Sequence, residues 1–191
     1  MKIGILALQG DFELHGRMLS TLSVDADYIR KPDQLNSCHG LIIPGGESTT
    51  LIKLMQGSGL FEAISSFAKD KPVFGTCAGL IVLATDLISY NLDTLGLIDL
   101  SVERNAYGRQ IDSFIDSIEI RIDGKTDFFE GVFIRAPKIA AIGESVKVLG
   151  THGDDIVLAE NEQVFVATFH PELTDDVRIH QYFVDKIRKS R

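Results

Sequence analysis

Apolar residues come in short unbroken runs through the first half of the chain, at 3–8, 40–44 and 72–76. Runs of that length, bounded by glycine, proline or polar residues, predict strands covered on both faces, as in a parallel sheet. Between them the pattern changes to helical spacing. Phe12, His15, Leu19 and Leu22 share one side of a helix predicted over 11–22. Further helices are predicted over 49–56 and 60–69, split by Gly57 and Gly59, and over 78–84. Residues 27–30 read as a short strand followed by a turn at Lys31-Pro32-Asp33.

The second half is patterned differently. Residues 113–122 alternate, with Phe114, Ile118, Ile120 and Ile122 apolar, and 131–134, 146–149, 155–159 and 164–169 read as further short strands. Gly124, Gly143, Gly150 and Gly153 fall in the connections. Residues 175–189 predict a closing amphipathic helix with Val177, Phe183, Val184 and Ile187 inward, its first turn acidic and its last basic. This order predicts one α/β domain over 1–191, a parallel sheet with helices on both faces, extended by antiparallel strands. Ligands in such sheets sit beyond the carboxyl ends of the strands, so the residues just after each strand carry the candidate chemistry.

Composition narrows the classes. The chain has 191 residues, 45% hydrophobic and 24% charged, as expected of a globular protein rather than a disordered one. With 19 Lys+Arg against 27 Asp+Glu the net charge is −8, a poor match for nucleic acid, and the basic cluster at 186–191 is only a short tail. No run reaches the roughly 18 apolar residues of a membrane span. The apolar residues 1–8 run into Gln9-Gly10-Asp11 without a small-residue cleavage site, and two cysteines are too few for a disulfide framework. A cytoplasmic protein is expected. His15, His39, His152, His170 and His180 show no ligand spacing with cysteines or acids, so no metal and no cofactor are expected.

Three strand ends converge on one chemistry. Gly75-Thr76-Cys77-Ala78-Gly79 has the Gly-x-nucleophile-x-Gly form of a nucleophile elbow, with cysteine in the serine position. The elbow lifts the thiol to the sheet edge at a helix N-terminus, whose partial positive charge favours a thiolate. A lone cysteine is more often a buried structural residue; the two glycines and the strand-turn-helix setting reverse that preference here. The predicted strand over 164–169 delivers His170-Pro171-Glu172. In an extended segment residues two apart share a side, which would set Glu172 beside the His170 ring as the group orienting a general base. Pro44-Gly45-Gly46-Glu47-Ser48-Thr49-Thr50 is the third piece. It is either a plain strand-to-helix connection capped by Ser48 or Thr49, a phosphate loop, or an oxyanion loop. The Gly-Lys-Ser/Thr ending of a phosphate loop is missing, and acyl transfer at Cys77 needs backbone donors, which favours the last.

With these pieces the sequence resembles the class I (triad) glutamine amidotransferases, and among them the glutaminase subunits of pyridoxal 5'-phosphate synthase. The resemblance rests on Leu8-Gln9-Gly10, residues 41–50, Phe74-Gly75-Thr76-Cys77-Ala78-Gly79-Leu80, Val102-Glu103-Arg104-Asn105, Gly108-Arg109-Gln110, residues 132–137 and Phe169-His170-Pro171-Glu172-Leu173. It implies a three-layer, flavodoxin-like fold with a mostly parallel central sheet plus antiparallel strands. It further implies hydrolysis of L-glutamine through Cys77, His170 and Glu172, with backbone N–H groups at Gly46 and Ala78 as the oxyanion hole. Gly46, Glu47, Ser48, Arg104, Ile134 and Arg135 match the family's glutamine-binding positions. Arg104 and Arg135 suit the carboxylate of a free amino acid. The implied partner is the synthase subunit, in a hetero-oligomer that receives the ammonia, with Gln9-Gly10-Asp11-Phe12 as a contact segment. Rival readings are a glutaminase serving another synthase, such as that of histidine biosynthesis, a peptidase-like cysteine hydrolase, and a non-catalytic flavodoxin-type binding module.

Overall fold

The computed structural model describes residues 1–89, 91–104 and 113–190; Asn105 and the Gly108-Arg109-Gln110 segment of the resemblance lie outside the described residues. Five parallel strands form the centre: β1 (Lys2–Leu6), β2 (Asp25–Ile29), β3 (Gly40–Ile43), β4 (Val73–Thr76) and, late in the chain, β12 (Val164–Ala167), in the order β2-β1-β3-β4-β12. This is the doubly wound order of flavodoxin-like proteins. Four antiparallel strands continue the same sheet beyond β12: β11 (Asp155–Glu160), β10 (Lys147–His152), β7 (Ser113–Ile122) and β8 (Lys125–Ile134).

Inside the edge strand β2, which carries Asp25 and Asp27, the central strands are apolar almost throughout because each face packs its own core. Leu41, Ile43, Val73, Val164 and Val166 point to one face and Ile42, Phe74, Phe165 and Ala167 to the other, all buried. The first face is covered by α2 (Ser48–Ser58), α3 (Leu60–Phe67) and α4 (Ala78–Leu83), and the second by α1 (Phe12–Thr21) and α5 (Arg178–Lys189). Three layers result. Among the described residues, no helix is long and apolar enough to cross a membrane.

Several boundaries differ from the sequence expectation. The helix predicted over 78–84 stops at Leu83, and Ala84 opens β5 (Ala84–Ile88), which pairs with β6 (Ile98–Glu103) and through it β9 (Lys138–Ile142) in a small second sheet. Residues 131–134 prove to be the end of the longer β8. The closing helix begins at Arg178, so Asp175 and Asp176 precede it and its first turn holds no acid; its basic last turn stands. Asp176 instead accepts from the Arg178 backbone N–H at 3.0 Å and from its guanidinium. Val177 is only half-buried at the N-cap, whereas Phe183, Val184 and Ile187 are fully buried.

Phe183 rests against Phe74 with ring centroids 5.5 Å apart. Removing a buried aromatic ring costs about 3–5 kcal/mol. Phe183→Ala is therefore expected to lower the unfolding free energy by about that amount in urea titrations.

Candidate active site

Strands β3, β4 and β12 are immediate neighbours, with Ile43 opposite Gly75 and Ala167 opposite Thr76. Their carboxyl ends therefore emerge side by side, and each hands over one of the three pieces. The Cys77 N–H bonds the Ala167 carbonyl at 2.9 Å, and the His170 N–H bonds Val132 O of β8 at 2.8 Å. The backbone on both sides of the site is thus pinned before any side chain is considered.

Cys77 sits between β4 and α4 at φ 48° and ψ −104°, a strained conformation for a residue with a Cβ. Both elbow glycines are required by contact. A Cβ on Gly79 would run into the Ile43 carbonyl, and one on Gly75 would lie 2.7 Å from the Gly79 backbone. The thiol is 6% exposed, with Sγ 3.9 Å from the Ile134 carbonyl.

His170 Nδ1 and Glu172 Oε1 are 2.7 Å apart. The contact forms differently from the sequence expectation. Residues 171–173 make a 3-10 turn rather than an extended segment, and that turn folds the carboxylate back under the ring. With Nδ1 committed to Glu172, Nε2 is the ring nitrogen left for Cys77. Burial disfavours a charged His170, but hydrogen bonds to Cys77 and Glu172 outweigh it and raise the pKa to about 10. Burial likewise works against the Glu172 carboxylate, yet the rings of His15 and His170 facing it hold its pKa at about 2.

The thiol opens onto a cavity of about 210 Å³. Gly46, Glu47 and Ser48 form one wall, and Arg104, Ile134 and Arg135 line it together with Cys77, Ile81 and His170. All six residues matched to glutamine binding thus meet at one cavity. Ala78 is buried as the first residue of α4, where the helix itself gives its N–H no partner. Gly46 has φ 140°, and Gln9 donates to the next carbonyl, Glu47 O, at 2.6 Å. Gln9, expected in the contact segment, is therefore engaged with the site loop. The cap of α2 is neither Ser48 nor Thr49. Glu47 caps it, accepting from the Thr49 and Thr50 N–H groups at 3.1 and 2.7 Å and from Arg104 at 3.0 Å. Burial alone would raise the Glu47 pKa; the hydrogen bonds from Thr50 and Thr49 overcome it and bring the value to about 2. Ser48 Oγ, buried at the cavity, has no hydrogen-bond partner among the described residues.

Two residues were not read as part of the site, His15 on α1 and His180 on α5. Both are completely buried behind Glu172, their rings tilted at 52° to each other, with His15 Nδ1 and His180 Nε2 2.9 Å apart. The apolar stripe of each helix calls for a hydrophobic residue there, and the sequence offers no other sign of them.

An α/β sheet carrying a cysteine elbow, a His–Glu pair and a donor-rich loop on three adjacent strand ends is the architecture of the class I glutamine amidotransferases. A solved structure described as a glutamine amidotransferase superposes with a TM-score of 0.91 at 42% identity, covering 97% of this chain and 98% of that one. The structure of PurLQS from Thermotoga maritima, at 16% identity, shares the fold with a TM-score of 0.69, over 99% of this chain and 95% of that one. The sequence profile of the SNO glutamine amidotransferase family matches residues 5–189, and the chain belongs to that family. It is 50% identical over 190 residues to the pyridoxal 5'-phosphate synthase subunit PdxT of Thermosipho africanus, covering 99% of this chain and all of the relative. The PdxT subunit of Geobacillus thermodenitrificans is 47% identical over 192 residues, covering all of this chain and 97% of the relative.

The His170–Glu172 pair makes a signed prediction about pH. The depressed Glu172 contributes stability fully above its ordinary 4.5 and loses it as pH falls through about 2. The elevated His170 contributes fully below its ordinary 6.5 and loses it as pH rises through about 10. Glu172→Gln is therefore expected to cost most stability between pH 4.5 and 6.5, with the gap to the wild type narrowing toward pH 2 and pH 10 in pH-dependent unfolding curves.

Proposed function

We propose that this chain is the glutaminase subunit of a pyridoxal 5'-phosphate synthase, acting as one amidotransferase domain over residues 1–191. It hydrolyses L-glutamine and passes the ammonia to the synthase subunit. The observation that carries the reading is the Cys77–His170–Glu172 array opening on a cavity lined by Arg104, Arg135 and Glu47. The PdxT subunits named above support the choice of partner, since they match from end to end.

In the proposed mechanism the Cys77 sulfur attacks the carboxamide carbon, and backbone N–H groups at Gly46 and Ala78 receive the oxyanion. His170 Nε2 gives its proton to the departing ammonia, leaving a γ-glutamyl thioester. It then takes a proton from water, which attacks the thioester and frees glutamate and the thiol. Glu172 stabilises the imidazolium throughout. Arg104 and Arg135 suit the substrate carboxylate, and Glu47 holds the Arg104 fork in place. The unpartnered Ser48 Oγ is a further group that a bound amino acid would satisfy. Each oxyanion donor is worth about 3–4 kcal/mol of barrier, so turning the Gly45–Gly46 peptide would suffice to switch the site on or off. Ammonia in neutral water is mostly protonated and non-nucleophilic, which favours transfer inside a complex over release. A reducing, cytoplasmic setting agrees with both cysteines being unpaired.

The test is glutamate release from L-glutamine with and without the synthase subunit. Stimulation by that subunit is expected, and its absence would remove the assignment to pyridoxal 5'-phosphate synthesis. Cys77→Ala is expected to abolish glutamine-dependent synthesis by the complex while synthesis from added ammonium salt continues.

A further inference from the structure

We propose that His15 and His180 are a positioning pair for the active site, in which His15 Nε2–H donates to the free oxygen of Glu172 and His180 Nε2–H donates to His15 Nδ1. The proposal rests on the amidohydrolase reading of Cys77 and extends its proton-bearing array inward by two rings. No proton moves through the pair; it holds the carboxylate that holds His170.

The geometry allows one consistent set of protons. Glu172 Oε1 is taken by His170, while Oε2 is fully buried with no hydrogen-bond partner among the described residues. Facing Oε2 at 3.5 Å is His15 Nε2. This is about half an ångström longer than a typical N–H···O bond, a slack that catalytic contacts in ligand-free sites commonly show. An ionised carboxylate only accepts, so the nitrogen turned toward it must carry the hydrogen. Thr76 Oγ1, 3.4 Å from the same nitrogen, is a second acceptor for it.

His15 then has a bare Nδ1 if it is neutral, and complete burial lowers its pKa, favouring the neutral ring. The partner of that bare nitrogen is His180 Nε2 at 2.9 Å, which must therefore donate. This leaves His180 Nδ1 without a hydrogen, and Nδ1 is the atom of that ring with no partner among the described residues. Burial also depresses His180, to about 3, keeping it neutral. The opposite tautomers fail twice: a bare His15 Nε2 would face the carboxylate lone pairs, and His180 would bury an N–H with nothing to receive it. The charged and titratable groups around the pair are Glu172, His170 and Asp11. Phe74 stands edge-on to both rings, at 6.4 and 5.9 Å between centroids, and supplies the apolar wall that keeps them dry.

The consequence is mechanical. A carboxylate bound at one oxygen is free to swing about its terminal torsion; a donor at the second oxygen fixes its plane and so the direction in which His170 presents Nε2 to sulfur. Misplacing a catalytic group by about an ångström costs on the order of a hundredfold in rate.

The assignment is tested on the full-length chain by nitrogen-15 NMR of the imidazoles, with signals identified by their loss in His15→Gln and His180→Gln. Two rings with hydrogen on Nε2, unprotonated at Nδ1 and unchanged between about pH 6 and 8, are expected. Hydrogen on Nδ1 of either ring, or a titration within that range, overturns the proposal. In the complex with the synthase subunit, His15→Leu is expected to lower kcat for L-glutamine on the order of 10- to 100-fold with KM little changed. His15→Gln, which returns an amide N–H near the position of Nε2, is expected to recover most of the loss. A Leu variant with wild-type kcat, or a Gln variant no better than Leu, contradicts the positioning role. If the wild-type complex releases no glutamate, the amidohydrolase reading itself falls, while the NMR pattern still decides where the protons lie.

Discussion

The hydrogen-bonded adjacency of β3, β4 and β12 is the constraint on which the site depends. Cys77 and His170 are 93 positions apart in the chain, yet they follow strands paired with Ala167 opposite Thr76. Once that register is set, the thiol and the imidazole have little freedom in where they meet. The Gly45–Gly46 loop follows the strand on the other side of β4, so it flanks the same thiol. A Cβ on Gly45 would lie 2.5 Å from His170 Cε1, which shows how closely backbone and ring are fitted. Strand order therefore supplies proximity, and the local sequence at each strand end supplies chemistry.

That chemistry is held in place by strain and by buried charge. Cys77 and Arg135 both have positive φ, at 48° and 42°, and both line the one cavity. Each such conformation costs about 1–3 kcal/mol and persists only because the surrounding structure fixes it. Glu47 plays a double part, capping α2 and bracing Arg104, so the helix terminus and a candidate substrate-binding group share one carboxylate. Glu172 is bound more deeply still, between His170 and the two histidines behind it.

The central strands inside the edge strand β2, and the helices that follow them, were legible because burial on both faces leaves no polar alternation, and an apolar run is easily seen. The elbow was legible for a local reason: its glycines sit two residues either side of Cys77, and both are demanded by contacts of the turn itself. The second sheet was not. Ala84, the first residue of β5, ends the apolar run of α4 and so read as its last helical residue, while Thr85 and Asp86 interrupt the apolar run that would mark a buried strand. The neighbourhood of His170 and Glu172 was inferred from the period of a strand, but a 3-10 turn provides it, because Pro171 sets the φ of that turn. His15 and His180 were invisible as a pair, since 165 residues separate them, His15 read as one more inward position of its helix, and neither has ligand spacing with cysteines or acids.

The central claim is that the fold makes one cysteine, and only that one, a nucleophile toward glutamine. Cys38 is buried, and burial pushes its thiol pKa up. The most direct measurement is peptide mapping by mass spectrometry after exposing the protein, in complex with the synthase subunit, to a diazoketone analogue of glutamine. The account predicts a single adduct on Cys77, suppressed by excess L-glutamine. Labelling at Cys38, or an adduct on Cys77 that L-glutamine does not compete away, would contradict it.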